Sequence, residues 1–343
     1  MNIQEALQSL LAGQHLTQAQ ACSVMEQIMS GLATDAQVGA YLVALRMKGE
    51  NIDEITGSAQ AMRAKALTVT LPGTVVDTCG TGGDASGTFN ISTTAALLVA
   101  AQGVVVAKHG NRALSSQCGS ADLLAALGVN IDVALPVVRR CLTEGNIGFL
   151  FAPHFHSAMR HVAGARRELA VRTLFNLLGP LTNPANASYQ LVGLFAAHWL
   201  KPVAEVLGRL GVRHALVVHG TDGLDEITTT AATQVAELDE NGQVTLYTLE
   251  PEQFGLPRAQ LADLRGGDAT VNAQITRQLL DGERGARRDI VLLNAGAALY
   301  AARHAPSIAA GIEMAAESID SGRAKETLER WIHLSNQPIP VVP

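Results

Sequence analysis

One stretch decides the fold: Thr74-Val75-Val76-Asp77-Thr78-Cys79-Gly80-Thr81-Gly82-Gly83-Asp84. It starts as a β-branched run, typical of a buried strand, and ends in a loop that contains three glycines. The sequence predicts an alanine-rich helix from Ser92 to Gln102, and a second β-branched run follows at Val104-Val105-Val106-Ala107. A strand, a helix and another strand in this order favour a parallel β-α-β unit.

The same alternation continues towards the carboxyl terminus. A predicted helix from Pro202 to Leu210 precedes the strand-like run Ala215-Leu216-Val217-Val218, and residues from about 275 to 343 have mainly helical patterns and end in a proline-rich tail. We therefore expect residues 72–343 to form an α/β domain with a mostly parallel central sheet flanked by helices. Ligands of such sheets bind beyond the carboxyl ends of the strands.

The first 66 residues have the signals of helices. Val38, Tyr41, Leu42 and Leu45 fall on one helical face. Three N-cap residues have a capping-box partner three positions later, in the pairs Thr17 and Gln20, Thr34 and Gln37, and Asn51 and Glu54. A glycine follows three of the predicted helices, at Gly13, Gly31 and Gly49. We predict a small, mainly helical N-terminal domain over residues 1–66, whose exposed apolar remainder suits packing against a second subunit.

Composition excludes several classes of protein. A net charge of −6 argues against a nucleic-acid binder, which usually carries a cationic surface. No stretch approaches the roughly 20 apolar residues of a membrane span, and the first residues lack the pattern of a secretory signal. The four cysteines, at positions 22, 79, 118 and 141, form no C-x-x-C pair. We therefore expect neither a disulfide framework nor a zinc site, and we expect a cytoplasmic location.

The loop from Gly80 to Asp84 is a candidate phosphate site. Glycines allow successive backbone N–H groups to turn towards one anion, and the helix that starts near Ser92 adds its N-terminal N–H groups. The hydroxyls of Thr88, Ser92 and Thr93 can donate to phosphate oxygens or bind a metal. The alternative is an ordinary strand-to-helix turn, but the density of glycines favours an anion site.

Two common phosphate motifs do not fit this loop. Gly80-x-Gly82-x-x-Ala85 has the spacing of a dinucleotide fingerprint, but its helix is predicted to begin only at about Asn90. The second strand ends in Lys108-His109, where that motif requires an acid, which argues against NAD. A P-loop is excluded because no Gly-Lys-Ser/Thr follows the glycines.

Two further loops are expected at the same edge of the sheet. Lys108-His109-Gly110-Asn111-Arg112-Ala113-Leu114-Ser115-Ser116 combines cations with hydroxyls, as pyrophosphate recognition requires, and is followed by Gly119-Ser120-Ala121-Asp122. The segment from His219 to Ile227 contains the adjacent carboxylates Asp225 and Glu226, which can share a Mg²⁺ ion. Its other acid, Asp222, could instead cap the turn.

The segment from Arg139 to Arg172 is rich in positive charge. Its six arginines and three histidines are opposed only by Glu144 and Glu168. For a single arginine a solvated helix face is the simpler interpretation, but as a group these residues favour attraction of an anion.

These motifs, in this order, resemble the anthranilate phosphoribosyltransferase family of the nucleoside phosphorylase/phosphoribosyltransferase superfamily. The resemblance covers almost the whole chain and includes, besides the three loops, Phe151-Ala152-Pro153, His156-Ser157-Ala158-Met159 and Arg172-Thr173-Leu174-Phe175-Asn176-Leu177-Leu178-Gly179-Pro180-Leu181. It implies that the helical domain 1–66 is joined by part of about 165–195, that a hinge connects it to the α/β domain, and that two subunits form a homodimer.

The resemblance also implies a reaction. The 5-phosphoribosyl group of phosphoribosyl pyrophosphate (PRPP) passes to the amine of anthranilate, in tryptophan biosynthesis, and pyrophosphate leaves. Two Mg²⁺ ions per subunit are implied, held by Ser92, Asp225 and Glu226. Residues implied to bind PRPP are Gly80, Gly83, Asp84, Thr88, Asn90, Ile91, Ser92, Thr93, Lys108, His109, Gly110, Asn111, Arg112, Ala113, Leu114, Ser115, Ser116 and Ser120.

Anthranilate is implied to meet Gly80, Asn111 and Arg166, with His109, His156 and Pro180 lining its approach. An aromatic amine is already unprotonated at neutral pH, so no general base is assigned, and a proton-transfer role for either histidine stays open. Val162-Ala163-Gly164-Ala165 lacks the proline that many relatives place before the arginine, which leaves the choice between Arg166 and Arg167 open.

Two rival functions fit the sequence less well. A pyrimidine nucleoside phosphorylase of the same superfamily would lack the Asp225-Glu226 pair and the arginine for anthranilate. A non-catalytic relative that binds nucleic acid would need degraded glycine and metal loops and a basic surface, and neither condition is met.

Overall fold

The computed structural model describes residues 1–84, 86–113 and 117–338. Four helices form the N-terminal part, and each begins with a capping box, so the three predicted boxes are confirmed and Asn2 adds a fourth. The glycines at positions 13, 31 and 49 follow the first three helices with positive φ angles, as expected for residues that end helices. The four helices are α1 (Ile3–Leu11), α2 (Gln18–Met29), α3 (Asp35–Lys48) and α4 (Ile52–Lys65).

A seven-stranded sheet forms the centre of the remaining chain. Its strand order is β3-β2-β1-β4-β5-β6-β7; the first five strands in this order run parallel, and β6 and β7 are antiparallel. The predicted fold class, a helical N-terminal part with a mostly parallel α/β part, is confirmed. The strands are β1 (Val75–Gly80), β2 (Val105–Gly110), β3 (Ile147–Phe151), β4 (Tyr189–Gly193), β5 (His214–Gly220), β6 (Thr233–Leu238) and β7 (Val244–Leu249).

Helices cover both faces of this sheet. Successive side chains of a strand point to opposite faces, and in β5 Leu216 and Val218 enter one buried cluster while Ala215 and Val217 enter another. The helices of this part are α5 (Ile91–Ala101), α6 (Ser120–Leu127), α7 (Leu135–Gly145), α8 (Ala152–Phe155), α9 (Arg160–Leu169), α10 (Phe175–Leu181), α11 (Leu200–Arg209), α12 (Ala269–Leu280), α13 (Ala286–Ala301), α14 (Ile308–Asp320) and α15 (Arg323–Asn336).

Helices α9 and α10 pack against the N-terminal helices. Val162 of α9 and Phe175 of α10 belong to the same buried cluster as Met25 and Tyr41 of α2 and α3. The first four helices therefore complete their core with residues from the middle of the chain. No helix among the described residues is long and apolar enough to cross a membrane.

The ladder between β1 and β2 is short. The two strands pair at Val75–Val105 and Val76–Val106. In contrast, β1 stays paired with β4 as far as Gly80–Gly193, and β2 stays paired with β3 as far as Gly110–Phe151. The sheet therefore opens between β1 and β2 at its carboxyl edge, directly before the two loops in which the sequence predicts phosphate contacts.

Candidate active site

The three predicted loops meet at the carboxyl edge of the sheet. The backbone N–H of Gly82 in the first loop donates to Asp225 Oδ2 in the third, at 2.6 Å. The residues that follow the first and second loops also meet, because Asn90 Nδ2 donates to the Cys118 carbonyl at 3.1 Å. The expected convergence of these loops is therefore present in the folded chain.

Small residues make the close approach of the first and third loops possible. Gly80 ends β1 and Gly193 ends β4, and a Cβ atom added to either would overlap Asp225. In the loop itself, Gly82 and Gly83 have φ angles of 67° and 75°, a backbone conformation that favours glycine. The glycines therefore serve two purposes, since they shape the loop and admit a carboxylate beside it.

The carboxylates Asp225 and Glu226 are crowded and largely buried. Burial, together with the nearby charge of Asp84, raises the pKa of Asp225 to about 7. Burial and the charge of Asp225 likewise raise the pKa of Glu226 to about 8. Two carboxylates that resist ionisation for these reasons would be stabilised by a hard cation such as Mg²⁺.

The amino end of helix α5 differs from the expectation. The sequence predicts free N–H groups there for a phosphate, but Ser92 N donates to Glu226 Oε1 at 3.2 Å. The reason is that a buried carboxylate requires hydrogen-bond donors, and the helix terminus supplies one. The donors assigned to phosphate at Gly82 and Ser92 thus bind the two carboxylates.

A complete protein metal site is not formed by these residues alone. Within residues 1–84, 86–113 and 117–338, no three His, Cys, Asp or Glu side chains are grouped as a metal site. Mg²⁺ characteristically uses one or two carboxylates and fills its other positions with water and substrate phosphates. The pair at Asp225 and Glu226, with the Ser92 hydroxyl on the adjacent helix start, fits that type of site.

Lys108 lies deeper than a surface phosphate ligand. Its side chain is almost fully buried, and its Nζ donates to the Thr78 carbonyl at 2.6 Å and to Ser92 Oγ at 3.4 Å. Burial lowers the pKa of Lys108, while the negative charge of Asp77 opposes that shift. Its ammonium group therefore holds the Ser92 hydroxyl in place from the buried side.

His109 and His156 form a neutral pair of imidazoles. Their ring centroids are 5.0 Å apart. Burial lowers the pKa of His109 to about 3 and also lowers the pKa of His156. The Gly179 carbonyl lies 3.2 Å from His109 Nδ1, which assigns the proton of the neutral ring to Nδ1. The Nε2 atoms of both rings are buried and have no hydrogen-bond partner among the described residues.

Arg166 and Arg167 occupy different environments on helix α9. Arg167 is exposed, whereas Arg166 is half-buried and its guanidinium lies 5.0 Å from the centroid of the Phe175 ring. Burial lowers the pKa of Arg166. In the part of the chain that the structure describes, no carboxylate forms an ion pair with Arg166. This environment suits recognition of an anion by Arg166 rather than by its neighbour.

The arginine-rich segment does not act as a group, contrary to expectation. Arg140 donates to the carbonyls of Leu334, Gln337 and Pro338 and so holds the carboxyl-terminal helix. Arg172 donates to the Gly83 carbonyl and stacks on Phe195 at 4.4 Å. The fold carries these arginines to different neighbours, so only part of the segment reaches the candidate site.

The other predicted site residues divide into exposed and buried groups. Asn111 and Arg112 are exposed, and Arg112 pairs with Asp122 at 3.0 Å. Ile91 and Thr93 are buried, which leaves only their backbone for a ligand. The remaining described residues, Gly83, Asp84, Thr88, Gly110, Ala113 and Ser120, lie in or beside the first two loops. Leu114, Ser115 and Ser116 lie outside the described residues, as does Ala85.

Asp222 caps the turn of the third loop, which is the alternative to metal binding that the sequence left open. It accepts hydrogen bonds from Leu224 N at 3.2 Å and from the Thr228 hydroxyl at 2.7 Å. The Thr230 hydroxyl also donates to it. Asp222 therefore shapes the third loop and leaves the other two acids to face the first loop.

Sequence reasoning missed two buried polar residues of this region. Asp77 lies in β1 and Asn183 follows α10, and Asn183 Nδ2 donates to Asp77 Oδ2 at 2.7 Å. The only sequence signal was an acid within a β-branched run, and no local pattern links it to an asparagine 106 positions away.

Two family models match this chain. The glycosyl transferase family helical bundle domain matches residues 4–66, and the glycosyl transferase family a/b domain matches residues 72–325. Among curated proteins, the anthranilate phosphoribosyltransferase of Paramagnetospirillum magneticum is 54% identical over 335 residues, which cover 98% of this chain and 96% of the relative. That of Moorella thermoacetica is 55% identical over 327 residues, covering 95% and 96%.

Solved structures agree with these relatives. The anthranilate phosphoribosyltransferase of Thermus thermophilus superposes with a TM-score of 0.92 at 46% identity and covers 97% of this chain and 99% of its own. The Saccharomyces cerevisiae enzyme, solved in complex with PRPP and Mg, gives a TM-score of 0.88 at 28% identity, with 97% of each chain covered. The chain belongs to the glycosyl transferase family of these models and, within it, to the anthranilate phosphoribosyltransferases.

Proposed function

We propose that this chain transfers the 5-phosphoribosyl group of PRPP to the amine of anthranilate in tryptophan biosynthesis, giving N-(5-phosphoribosyl)anthranilate and pyrophosphate. One observation carries the proposal: the glycine loop, the start of helix α5 and the acidic pair Asp225 and Glu226 meet at one edge of the sheet. Polyphosphate recognition requires hydrogen-bond donors and a cation site together. Gly82 N and Ser92 N are bound to the acidic pair, so the donors for phosphate would be other groups of the first two loops and the Ser92 hydroxyl.

The donor substrate would lie against the first two loops. Departure of pyrophosphate leaves positive charge at the anomeric carbon and negative charge on the leaving group, so catalysis requires neutralisation of that group. Mg²⁺, two ions in the full proposal, would be held by Ser92, Asp225 and Glu226 and would act as Lewis acid and template for the pyrophosphate. The proposed PRPP contacts are those that the family resemblance implies in residues 80–93, 108–116 and at Ser120.

The acceptor would approach along the two histidines. Arg166 is proposed to bind the anthranilate carboxylate, with Gly80 and Asn111 beside it and Pro180 lining the approach. The neutral His109 ring lines this approach, while its Nε2 atom is buried and has no hydrogen-bond partner among the described residues. Because an aromatic amine already has a free lone pair, positioning by these residues accounts for its role as nucleophile.

Assembly and location are part of the proposal. The three most exposed large apolar side chains among the described residues, Leu11, Leu32 and Met47, all belong to the first 66 residues. An interface there would form a homodimer through the helical domain. We also propose that residues 1–66 and part of 165–195 form one domain, hinged to an α/β domain at 72–343, and that the enzyme is cytoplasmic.

A depletion assay tests the proposed function. The protein is mixed with anthranilate, PRPP and Mg²⁺, and the fluorescence of anthranilate is followed with time. Fluorescence should fall only when all three are present, and chelation of Mg²⁺ by EDTA should stop the fall. Constant fluorescence in the complete mixture would refute the proposal, and turnover at an undiminished rate in EDTA would refute the role of the metal.

A further inference from the structure

The opening between β1 and β2 leaves backbone groups of β2 without their usual partners. The N–H of Val106 donates to the Asn146 carbonyl on the β3 side at 2.8 Å. Backbone groups of successive residues in a strand point to alternate sides, so the Ala107 carbonyl and the His109 N–H face β1. These groups lie beyond the last β1–β2 pair and require other hydrogen-bond partners.

Two buried side chains provide those partners. Asn183 Nδ2 donates to the Ala107 carbonyl at 2.8 Å and to Asp77 Oδ2 at 2.7 Å. Asp77 Oδ1 accepts from His109 N at 3.3 Å. Asn183 is fixed in turn, because its Oδ1 accepts from Ala185 N at 2.8 Å. Asp77 is 0% exposed and Asn183 is 1% exposed, so the pair forms a buried polar link between the two strands.

The same region holds the imidazole of His109. Its Nδ1 is hydrogen-bonded to the Gly179 carbonyl of α10, four residues before Asn183. The backbone N–H of His109 is held by Asp77, and the carbonyl of Ala107, two residues earlier, is held by Asn183. The ring and the backbone of His109 are thus fixed by one short segment of chain together with one strand residue.

We infer that Asp77 and Asn183 are positioning residues for the acceptor, which act by fixing His109 at the wall of the site. This inference rests on the proposed function, because it takes His109 as part of the approach of anthranilate. Neither side chain is exposed, so the two residues act through the backbone that they hold, at the Ala107 carbonyl and the His109 N–H. Asp77 also places its negative charge near Lys108. Catalytic groups must be held within about 0.5 Å of their productive positions, and a link of this kind provides that precision.

Steady-state kinetics of Asn183→Ala and Asp77→Asn test the inference. Asn183→Ala removes the donor to the Ala107 carbonyl. Asp77→Asn keeps only one of the two acceptor oxygens, so either Asn183 Nδ2 or His109 N loses its partner. Each should raise the KM for anthranilate about tenfold or more. In Asn183→Ala, which keeps the charge of Asp77 near Lys108, the KM for PRPP should change less than about threefold, because misplacement of a positioning group affects the substrate that it orients.

Glu54→Gln is the matched control. Glu54 is also fully buried and accepts from Leu16 N at 2.9 Å, but it belongs to the N-terminal helices. It should lower the melting temperature as the other variants do and leave both KM values within about twofold of wild type. If Asn183→Ala does not fold, Asn183→Ser replaces it, since a hydroxyl can serve one of the two acceptors.

Hydrogen exchange provides a readout that does not depend on turnover. The amides of residues 105–113 should exchange faster than in wild type in both variants and at the wild-type rate in the control. Anthranilate KM values within about twofold of wild type in both variants would overturn the inference. Failure of the wild-type protein to consume anthranilate would instead overturn the proposed function, while faster exchange would still support the link to His109.

Discussion

At the scale of single residues, the site depends on ionisable side chains whose burial opposes their charged forms. Arg166 keeps a half-buried guanidinium beside Phe175, and Asp225 and Glu226 form an acidic pair beside the glycine loop. Each group is unfavourable in the protein alone, because burial opposes its charged form. Both become favourable when a partner of opposite charge arrives, which is the property expected of a binding group.

Arg166→Ala should impair the use of anthranilate selectively. A charge-assisted hydrogen bond to a carboxylate contributes about 1.5–3 kcal/mol, so the KM for anthranilate should rise at least about tenfold. The KM for PRPP should stay within about twofold of wild type. Steady-state kinetics on both substrates measure this, with Arg167→Ala as the matched control, because that arginine is exposed on the same helix. Equal losses for the two substrates would assign Arg166 to the phosphate side.

The pH dependence of the metal-free protein should reveal the acidic pair. The folded pKa values of Asp225 and Glu226 are about 7 and about 8, whereas unfolded carboxyls titrate near about 4. Between these limits the folded protein binds protons that the unfolded chain has released. The contribution of this pair to the free energy of unfolding should therefore be largest below about pH 4 and should fall as the pH rises to about 8.

Thermal unfolding in EDTA from about pH 6 to about pH 9 measures this fall. The double variant Asp225→Asn with Glu226→Gln should lose less stability over the same range, since its side chains do not titrate. Addition of Mg²⁺ should stabilise the wild type more at the alkaline end, because metal binding requires the deprotonated pair. A pH dependence identical in wild type and double variant would contradict the assigned cause.

Several features at the residue scale followed from the sequence, and others did not. The glycines of the first loop predicted a group of backbone N–H donors for an anion, and the adjacent acids of the third loop predicted a metal site. The sequence did not predict that the pair would bind the N–H groups of Gly82 and Ser92, because hydrogen-bond partners are chosen in three dimensions. The hydrogen bond between Asp77 and Asn183 could not be predicted from the sequence for the same reason.

At the scale of elements, the N-terminal helices are determined locally. Each has its own N-cap and reciprocal partner within four residues, so the sequence alone predicted where three of them begin. Strands β1, β2 and β5 were also predicted, because they contain β-branched runs. Strands β3, β4, β6 and β7 were not singled out. In β3 the reason is that a five-residue apolar run fits a strand and a buried helix equally well.

Thr34→Ala tests the local origin of helix α3. Thr34 accepts from Gln37 N at 3.3 Å, and loss of such a cap should lower the free energy of unfolding by about 1 kcal/mol. Urea unfolding measures this change, and the kinetic constants should not move. Thr70→Ala, at an exposed position outside helices and strands, should change stability by less than about 0.5 kcal/mol. Equal stability losses in the two variants would argue against the capping box as the cause.

At the scale of the whole molecule, exposed apolar residues are unevenly distributed. Met47, Leu11 and Leu32 are 84%, 79% and 75% exposed, more than any other large apolar side chain in the described ranges. All three lie in the N-terminal part, where the sequence predicted an apolar remainder. The sequence predicts that some apolar side chains of these helices stay exposed, because there are more of them than one buried helical face holds. It does not predict which side chains these are.

The double variant Leu32→Lys with Met47→Lys should separate the proposed dimer. Placing two charges in an apolar interface leaves them without partners, which strongly opposes association. Light scattering after size exclusion should give a mass near 36.0 kDa for this variant and near twice that value for wild type. Leu246→Lys, on β7 and 58% exposed, is the control and should remain a dimer. A monomeric wild type would refute the proposed assembly.

The packing of α9 and α10 under the first four helices has a consequence for synthesis on the ribosome. Helix α4 ends at Lys65, but α9 begins only at Arg160. Translation adds about 5–20 residues per second, so the nascent chain holds four helices with an incomplete core for roughly five to twenty seconds. Met25 and Tyr41 must wait for Val162 and Phe175 before their shared core closes. The emerging N-terminal segment therefore keeps part of its apolar core uncovered during this interval.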